Sequence, residues 1–216
     1  AHTVAHDLKN PLAAQAGAIE MLKNHSLSPA EIQSLHGAIG ESAAEMIEMV
    51  DALLLVANVR RTDDILIEPL DMEEIVSRAI RRLAGEIGAR RAEIGRPGDW
   101  PVVMGYAPWI EQVWVNYLSN AIKYGGHPPS IELGAHQAGT SVRFWIRDNG
   151  DGLSPSEQAS LFREFHRLDR HTHAIPGHGL GLSIVRQIVN RLHGEDGVSS
   201  DGKTGSTFSF TLPTPG

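Results

Sequence analysis

An α+β architecture is expected of this chain: an N-terminal helical hairpin that pairs with a second copy into a dimeric four-helix bundle, followed by an α/β sandwich. Three observations lead there. Apolar residues recur at three- and four-residue steps over the first sixty positions, strand-like runs appear only after residue 65, and two alternating runs flank a glycine turn near residue 139.

In the first helix Val4, Leu8, Leu12, Ala16, Ile19 and Leu22 gather on one face, at about 100° per residue. His6 falls almost opposite that stripe. Asn10 follows one turn later on the same exposed face, and Asp7 sits beside them. A nucleophile, a carboxylate able to hold an imidazole tautomer and an amide able to orient a small molecule are therefore displayed together. Pro11 removes a helical hydrogen bond and is expected to kink the backbone, at a cost of ~3 kcal/mol. The helix should end near Lys23, with NHSLSP turning the chain. Ser28, Pro29 and Glu31 form a start signal for the second helix: a hydroxyl cap, a first-turn proline and a glutamate placed for a capping box. Its apolar positions, Ile32, Leu35, Ile39, Ala43, Met46, Val50, Leu53 and Ala57, keep nearly the seven-residue spacing of packed bundles. Such a hairpin buries little alone, so a second copy is its natural cover.

Composition changes at RRTDD, which divides the chain into a first domain over 1–60, a linker over 60–64 and a second domain over 65–216. There, ILIEPLD reads as a strand, Met72 to Ile87 as a helix, and Ala92 to Ile94 as a short strand. A loop rich in Gly and Pro leads to a helix from Pro108 to Tyr124. SIELGAHQAG and TSVRFWIRD alternate as a β-hairpin. Residues 156–165 are weakly helical, 166–178 form a polar loop with four histidines, LGLSIVRQIVNRLHG is a helix, and STFSFTLP is a closing strand.

Charge and composition exclude some functions. A net charge of −7 and a pI near 5.9 argue against a nucleic-acid binder. The absence of cysteine excludes disulfides and thiolate metal sites and permits an intracellular setting. No apolar run approaches the roughly 20 residues of a membrane span. No signal peptide precedes His6, and because the helical pattern is already running at residue 1, an upstream portion is expected.

Four clusters carry the chemistry. In NYLSNAIKY, Asn116 and Asn120 lie one turn apart with Lys123 and Tyr124 beyond, so an amide oxygen fit for Mg²⁺ and a lysine fit for phosphate share one side of a helix. RDNGDGLS ends a strand with Asp148, an acceptor for the amino group of a base, and with Gly150 and Gly152, which leave room for a ring. As a calcium loop it fails, since Gly150 stands where an oxygen side chain is required. GHGLG, residues 177–181, opens a helix whose N-terminus and glycine amides suit phosphate. GVSSDGKT, Gly197 to Thr204, matches the P-loop pattern, but an alternating strand follows where that motif demands a helix. Lys203 is expected in a hairpin turn instead.

The order of these motifs resembles the two-component sensor histidine kinases, with HDLKNPL as the H box, NYLSNAIKY the N box, DNGDG and GHGLGLSIV the two G boxes, LFREFHRL the F box and GSTF the last glycine segment. The resemblance implies a phosphoacceptor hairpin and a GHKL-type (Bergerat) ATP-binding domain, with ATP and Mg²⁺ as cofactors. His6 would be phosphorylated, Asp7 would polarise it, and Asn10 would orient water in a phosphatase reaction. Asn120 would ligate Mg²⁺, with Asn116, Lys123 and Tyr124 lining phosphates and base. Asp148 would read adenine with help from Thr207, and Gly150 and Gly152 would shape its pocket. Phe162 and Phe165 would anchor a lid and Arg167 would approach the γ-phosphate. Gly177, Gly179 and Gly181 would hinge that lid and face the phosphates, with Leu180 and Leu182 nearby. The implied partners are a second copy of the chain and a response regulator receiver domain, with no nucleic acid and no membrane contact within these residues. The implied location is cytoplasmic, as part of a larger sensor. Asp7, Lys9 and Asn10 depart from the commoner HELRTPL, and His178 stands where threonine is usual. The loop histidines His166, His171 and His173 show no fixed ligand geometry for a metal. Two rival readings are an ATPase of the gyrase or chaperone kind, which would need a glutamate where this chain has Asn116, and a nucleotide-binding scaffold without chemistry.

Overall fold

The computed structural model of the protein describes residues 2–23, 26–61, 65–162 and 180–215, and of residues 2–8, 48, 60 and 61 the backbone alone. Two long helices, α1 (His2–Leu22) and α2 (Pro29–Arg61), form the expected hairpin. The start of α2 is set by the foreseen capping box: the Glu31 amide donates to Ser28 Oγ at 3.3 Å, and the Ser28 amide donates back to Glu31 Oε2 at 2.7 Å. α1 continues through Pro11 without interruption. Its face against α2 differs from the expected stripe. Pro11 and Ala18 are buried and Gln15 and Leu22 half-buried, whereas Leu12 is 52% and Ile19 48% exposed. The reason is polar: Ser42 Oγ donates to the Pro11 carbonyl at 2.7 Å and Gln15 Nε2 to the Ile39 carbonyl at 3.3 Å, and these bonds fix which side of α1 meets α2. The apolar residues left over point away from the partner helix.

Beyond residue 64 a five-stranded sheet runs in the order β2 (Glu93–Gly95), β4 (Ser130–Ala138), β5 (Ser141–Arg147), β7 (Ser206–Pro213), β6 (Asp196–Ser200). Only β2 pairs in parallel. One sheet face carries α3 (Met72–Arg82), α5 (Ala107–Tyr124) and α7 (Gly181–Arg191). Even-numbered residues of β5 and β7, among them Phe144, Ile146, Phe208 and Phe210, turn inward because strand side chains alternate. Trp114 and Tyr117 of α5 are fully buried on them, with the Trp114 and Phe210 rings 5.4 Å apart. Each such ring contributes about 1.5–3 kcal/mol on leaving water. Tyr117 anchors α5 by donating its hydroxyl to the Ser209 carbonyl at 3.1 Å, and burial pushes its pKa well up. α2 reaches this unit too, since Met49 and Val59 join its core and the helix runs beside α7.

Several elements depart from expectation. The helix foreseen over 72–87 is two: α3 stops at Leu83, whose φ of −98° and ψ of 9° leave the helical range, and α4 (Ala84–Arg90) follows. Leu83 is buried and continues the apolar period, which conceals the break from a reader of the sequence. Of ILIEPLD only Glu68–Pro69 (β1) pairs, with β3 (Met104–Gly105), a strand no pattern announced. α6 is Pro155–Ser160, begun by a full Ser154–Glu157 capping box. β6 occupies part of the P-loop look-alike, and a turn braced by Asp201 joins it to β7 where a P-loop would require a helix. Among the described residues no helix is long and apolar enough to cross a membrane.

Candidate functional site

The chemistry-bearing clusters meet where α5 ends, β5 ends and α7 begins. Asn116 and Asn120 are both half-buried on α5. Asn116 donates through Nδ2 to the Gln112 carbonyl at 2.9 Å, and its Oδ1 faces the start of α7, where a Cβ on Gly181 would come within 2.6 Å of it. Asn120 makes no hydrogen bond, and half-buried Lys123 no ion pair, among the described residues. An uncommitted amide oxygen beside an uncommitted ammonium fits a hydrated Mg²⁺ bound to phosphates.

Asp148 leaves the end of β5 and is buried. Its Oδ1 accepts from the amides of Gly150 at 2.9 Å and Ser206 at 3.2 Å, while Oδ2 has no partner among the described residues. Burial pushes its carboxyl above the usual range, against the lowering pull of those two amides. That oxygen is not sealed from solvent, so an entering donor such as the amino group of a base takes the place of water there.

Close packing explains the glycines. A Cβ on Gly150 would overlap the Tyr124 carbonyl at the end of α5. Gly152, at φ +74°, lies against the β6–β7 turn, and Gly205, at φ +99°, lies so close to the Asp148 carbonyl that any side chain would overlap it. Thr207 pairs with Arg147 across β5 and β7, and the residue before it, Ser206, reaches Asp148 through its backbone amide.

Leu180 is buried and accepts the Ser183 hydroxyl at 2.8 Å, and Leu182 is half-buried on the first turn of α7. Phe162 lies under the Arg186 guanidinium, 4.7 Å from its ring centre, and Arg186 is held by Asp196 at 3.0 Å. Neither Arg186 nor Asp196 carries a motif that marks it. Phe165, Arg167, Gly177, Gly179 and the four loop histidines lie outside the described residues. On the hairpin, His6 and Asp7 belong to α1, and exposed Asn10 follows His6 by one turn. Asn149 also escaped the sequence reading: its side chain bonds three backbone groups of the loop after α5. A groove of about 370 Å³ under α3, α4 and β2 shares no residue with this site.

Comparison with known proteins gives two family matches. Residues 105–216 match the histidine kinase-, DNA gyrase B- and HSP90-like ATPase model, and residues 1–61 the His Kinase A (phospho-acceptor) domain. The chain is 34% identical over 223 residues to the adaptive-response sensory kinase SasA of Thermosynechococcus vestitus, covering 97% of this chain and 58% of that protein. Its fold superposes on histidine kinase ThkA in complex with response regulator protein TrrA, with a TM-score of 0.78 and 20% identity over 98% of this chain and 60% of that one. It also superposes on full-length ShkA in complex with AMPPNP, with a TM-score of 0.71 and 24% identity over 98% of this chain and 45% of that one. The chain spans 24% of one curated relative it matches and 58% of another.

Proposed function

Because the chain belongs to the histidine kinase-, DNA gyrase B- and HSP90-like ATPases and carries a His Kinase A phospho-acceptor domain, we propose that it is the catalytic core of a two-component sensor kinase. It moves the γ-phosphoryl group of ATP to His6 and from there to an aspartate of a response regulator. The observation that carries this reading is Asp148: a buried carboxylate with one oxygen held by Gly150 and Ser206 and the other left for a donor, beside the end of α5 that bears Asn120 and Lys123.

In this mechanism Asp148 takes the amino group of adenine, which fixes the base and therefore the direction of the phosphate tail. Lys123 and the helix start at Leu180–Gly181 face that tail with positive charge. Asn120 would hold Mg²⁺, which when bound neutralises charge on the β- and γ-phosphates. A ring nitrogen of His6 forms the P–N bond as the bond from phosphorus to the β,γ-bridging oxygen breaks. ADP leaves with that electron pair, and the imidazole proton passes toward Asp7. The P–N bond then breaks as a regulator carboxylate attacks, giving an acyl phosphate. Asn10, one turn from His6, would orient a water that hydrolyses that product. The acceptor stands on α1 and the nucleotide site in the sandwich, so the two meet through movement that shifts the packing of α2 against that sandwich.

The bare stripes on the hairpin support a dimer. Ile47, Val50 and Leu54 recur at i, i+3 and i+7 on α2 and are 62%, 45% and 57% exposed. Leu12 and Ile19 of α1 are exposed as well, and a second hairpin covering these side chains would complete four helices. The reaction is placed on the cytoplasmic side, where ATP is available. The rival ATPase reading lacks its carboxylate, since residue 116 is an asparagine whose amide donates to the Gln112 carbonyl. The test is labelling with γ-³²P-ATP: the chain should yield an acid-labile, alkali-stable phosphoprotein that a His6→Ala variant does not form. Equal labelling of that variant would overturn the assignment.

A further inference from the structure

We propose that Asn149 is a positioning residue that fixes the phosphate-facing end of α5 against the base-reading turn, so that one nucleotide can engage both at once. The inference rests on the nucleotide-binding reading above. Its side chain closes a loop that has few donors of its own, because residues 125–130 read Gly-Gly-His-Pro-Pro-Ser and the two prolines carry no N–H. Asn149 Oδ1 accepts from the amides of Gly126 at 2.8 Å and Ser130 at 2.9 Å, and Nδ2 donates to the Pro128 carbonyl at 3.2 Å. Both ends of that loop, just after Tyr124 and at the first residue of β4, are thereby tied to one side chain.

The surrounding glycines show how closely the two segments interlock. A Cβ on Gly126 would stand 2.7 Å from Asn149 Nδ2, and one on Gly150 would overlap the Tyr124 carbonyl. Asn149 therefore sits between Asp148, which faces the base, and Gly150, which abuts the end of the helix carrying Lys123. Because Asn149 is exposed, its three bonds compete with water and contribute little to the core. A side chain of small structural worth that uses its acceptor twice and its donor once, between two halves of one site, sets their spacing.

The test compares adenosine, which engages only the base half, with ATP, which engages both, by titration calorimetry on the intact chain. Partial unfolding raises both apparent dissociation constants by the same factor, so their ratio is insensitive to a purely structural defect. In Asn149→Ala the advantage of ATP over adenosine should shrink roughly five- to tenfold, the scale of one misaligned hydrogen bond. Asn149→Asp keeps the acceptor for both amides and loses only the donor, so it should retain most of that advantage. Parallel weakening of both ligands, or no change, in Asn149→Ala overturns this inference alone. If Asn149→Ala does not fold, Asn149→Ser, whose shorter side chain cannot bridge the Gly126 and Ser130 amides, takes its place: a shrunken ATP advantage upholds the inference and an unchanged one overturns it. A parent chain that binds neither ligand overturns the nucleotide-binding reading and this inference with it.

Discussion

Asp148 carries two opposed requirements, and they separate binding from folding. Its carboxyl is raised above the ordinary value of 3.8 chiefly by burial, so the folded chain without nucleotide keeps the proton to a higher pH than the unfolded chain does. This group alone therefore stabilises the fold more as pH falls through its raised pKa toward 3.8, and less as pH rises through the same window. Nucleotide binding follows the other sign, because an amino donor needs the ionised carboxylate. ATP affinity should decline on acidification, starting above 3.8, when followed by calorimetry across pH 4 to 7. Asp148→Asn should lower affinity at neutral pH by about tenfold or more while leaving the melting temperature unchanged or higher. Gly181→Ala is a second test at this scale. Its Cβ would meet Asn116 Oδ1 at 2.6 Å, a side-chain atom that can turn aside, so stability should hold while the labelling rate falls roughly tenfold or more. These residues were legible because each sits in a motif whose chemistry is specific. Ser206 and Asn149 were not: Ser206 meets Asp148 through its backbone amide, which no side-chain pattern marks, and an asparagine between aspartate and glycine reads as ordinary turn chemistry.

At the level of helices and strands, legibility followed periodicity. α2, α5, α7 and the β4–β5 hairpin were foreseen because their apolar spacing is regular and their ends carry caps or glycine. The break at Leu83 was hidden because the stripe through Met72, Val76, Ala79 and Leu83 continues across it. β6 was hidden because Asp196, Gly197 and the serines that follow lack apolar alternation, as an edge strand can. The stripe on α1 was read as one face, although the helix has two apolar flanks and the Ser42 and Gln15 bonds choose between them. Exposed Ile47 and Leu54 on α2 predict a partner for the hairpin. Ile47→Glu combined with Leu54→Glu should weaken dimerisation by about a hundredfold or more, since each side chain loses about 1.5–3 kcal/mol of burial. Sedimentation equilibrium would read this directly, and a dimer of unaltered strength would place the contact elsewhere.

Over the full chain, α2 belongs to the hairpin and also packs into the core of the sandwich. The placement of tryptophan adds a spectroscopic consequence. All four indoles, Trp100, Trp109, Trp114 and Trp145, lie beyond the hairpin, and Trp114 is sealed among Trp100, Phe144 and Phe210 on the same helix as Asn116 and Asn120. Intrinsic emission therefore reports on the sandwich and on the part of α2 packed against it, whereas far-ultraviolet dichroism also registers α1 and the rest of α2. Heating the protein while recording the two signals together would show whether the free end of the hairpin loosens before the sandwich, with no dye or label attached.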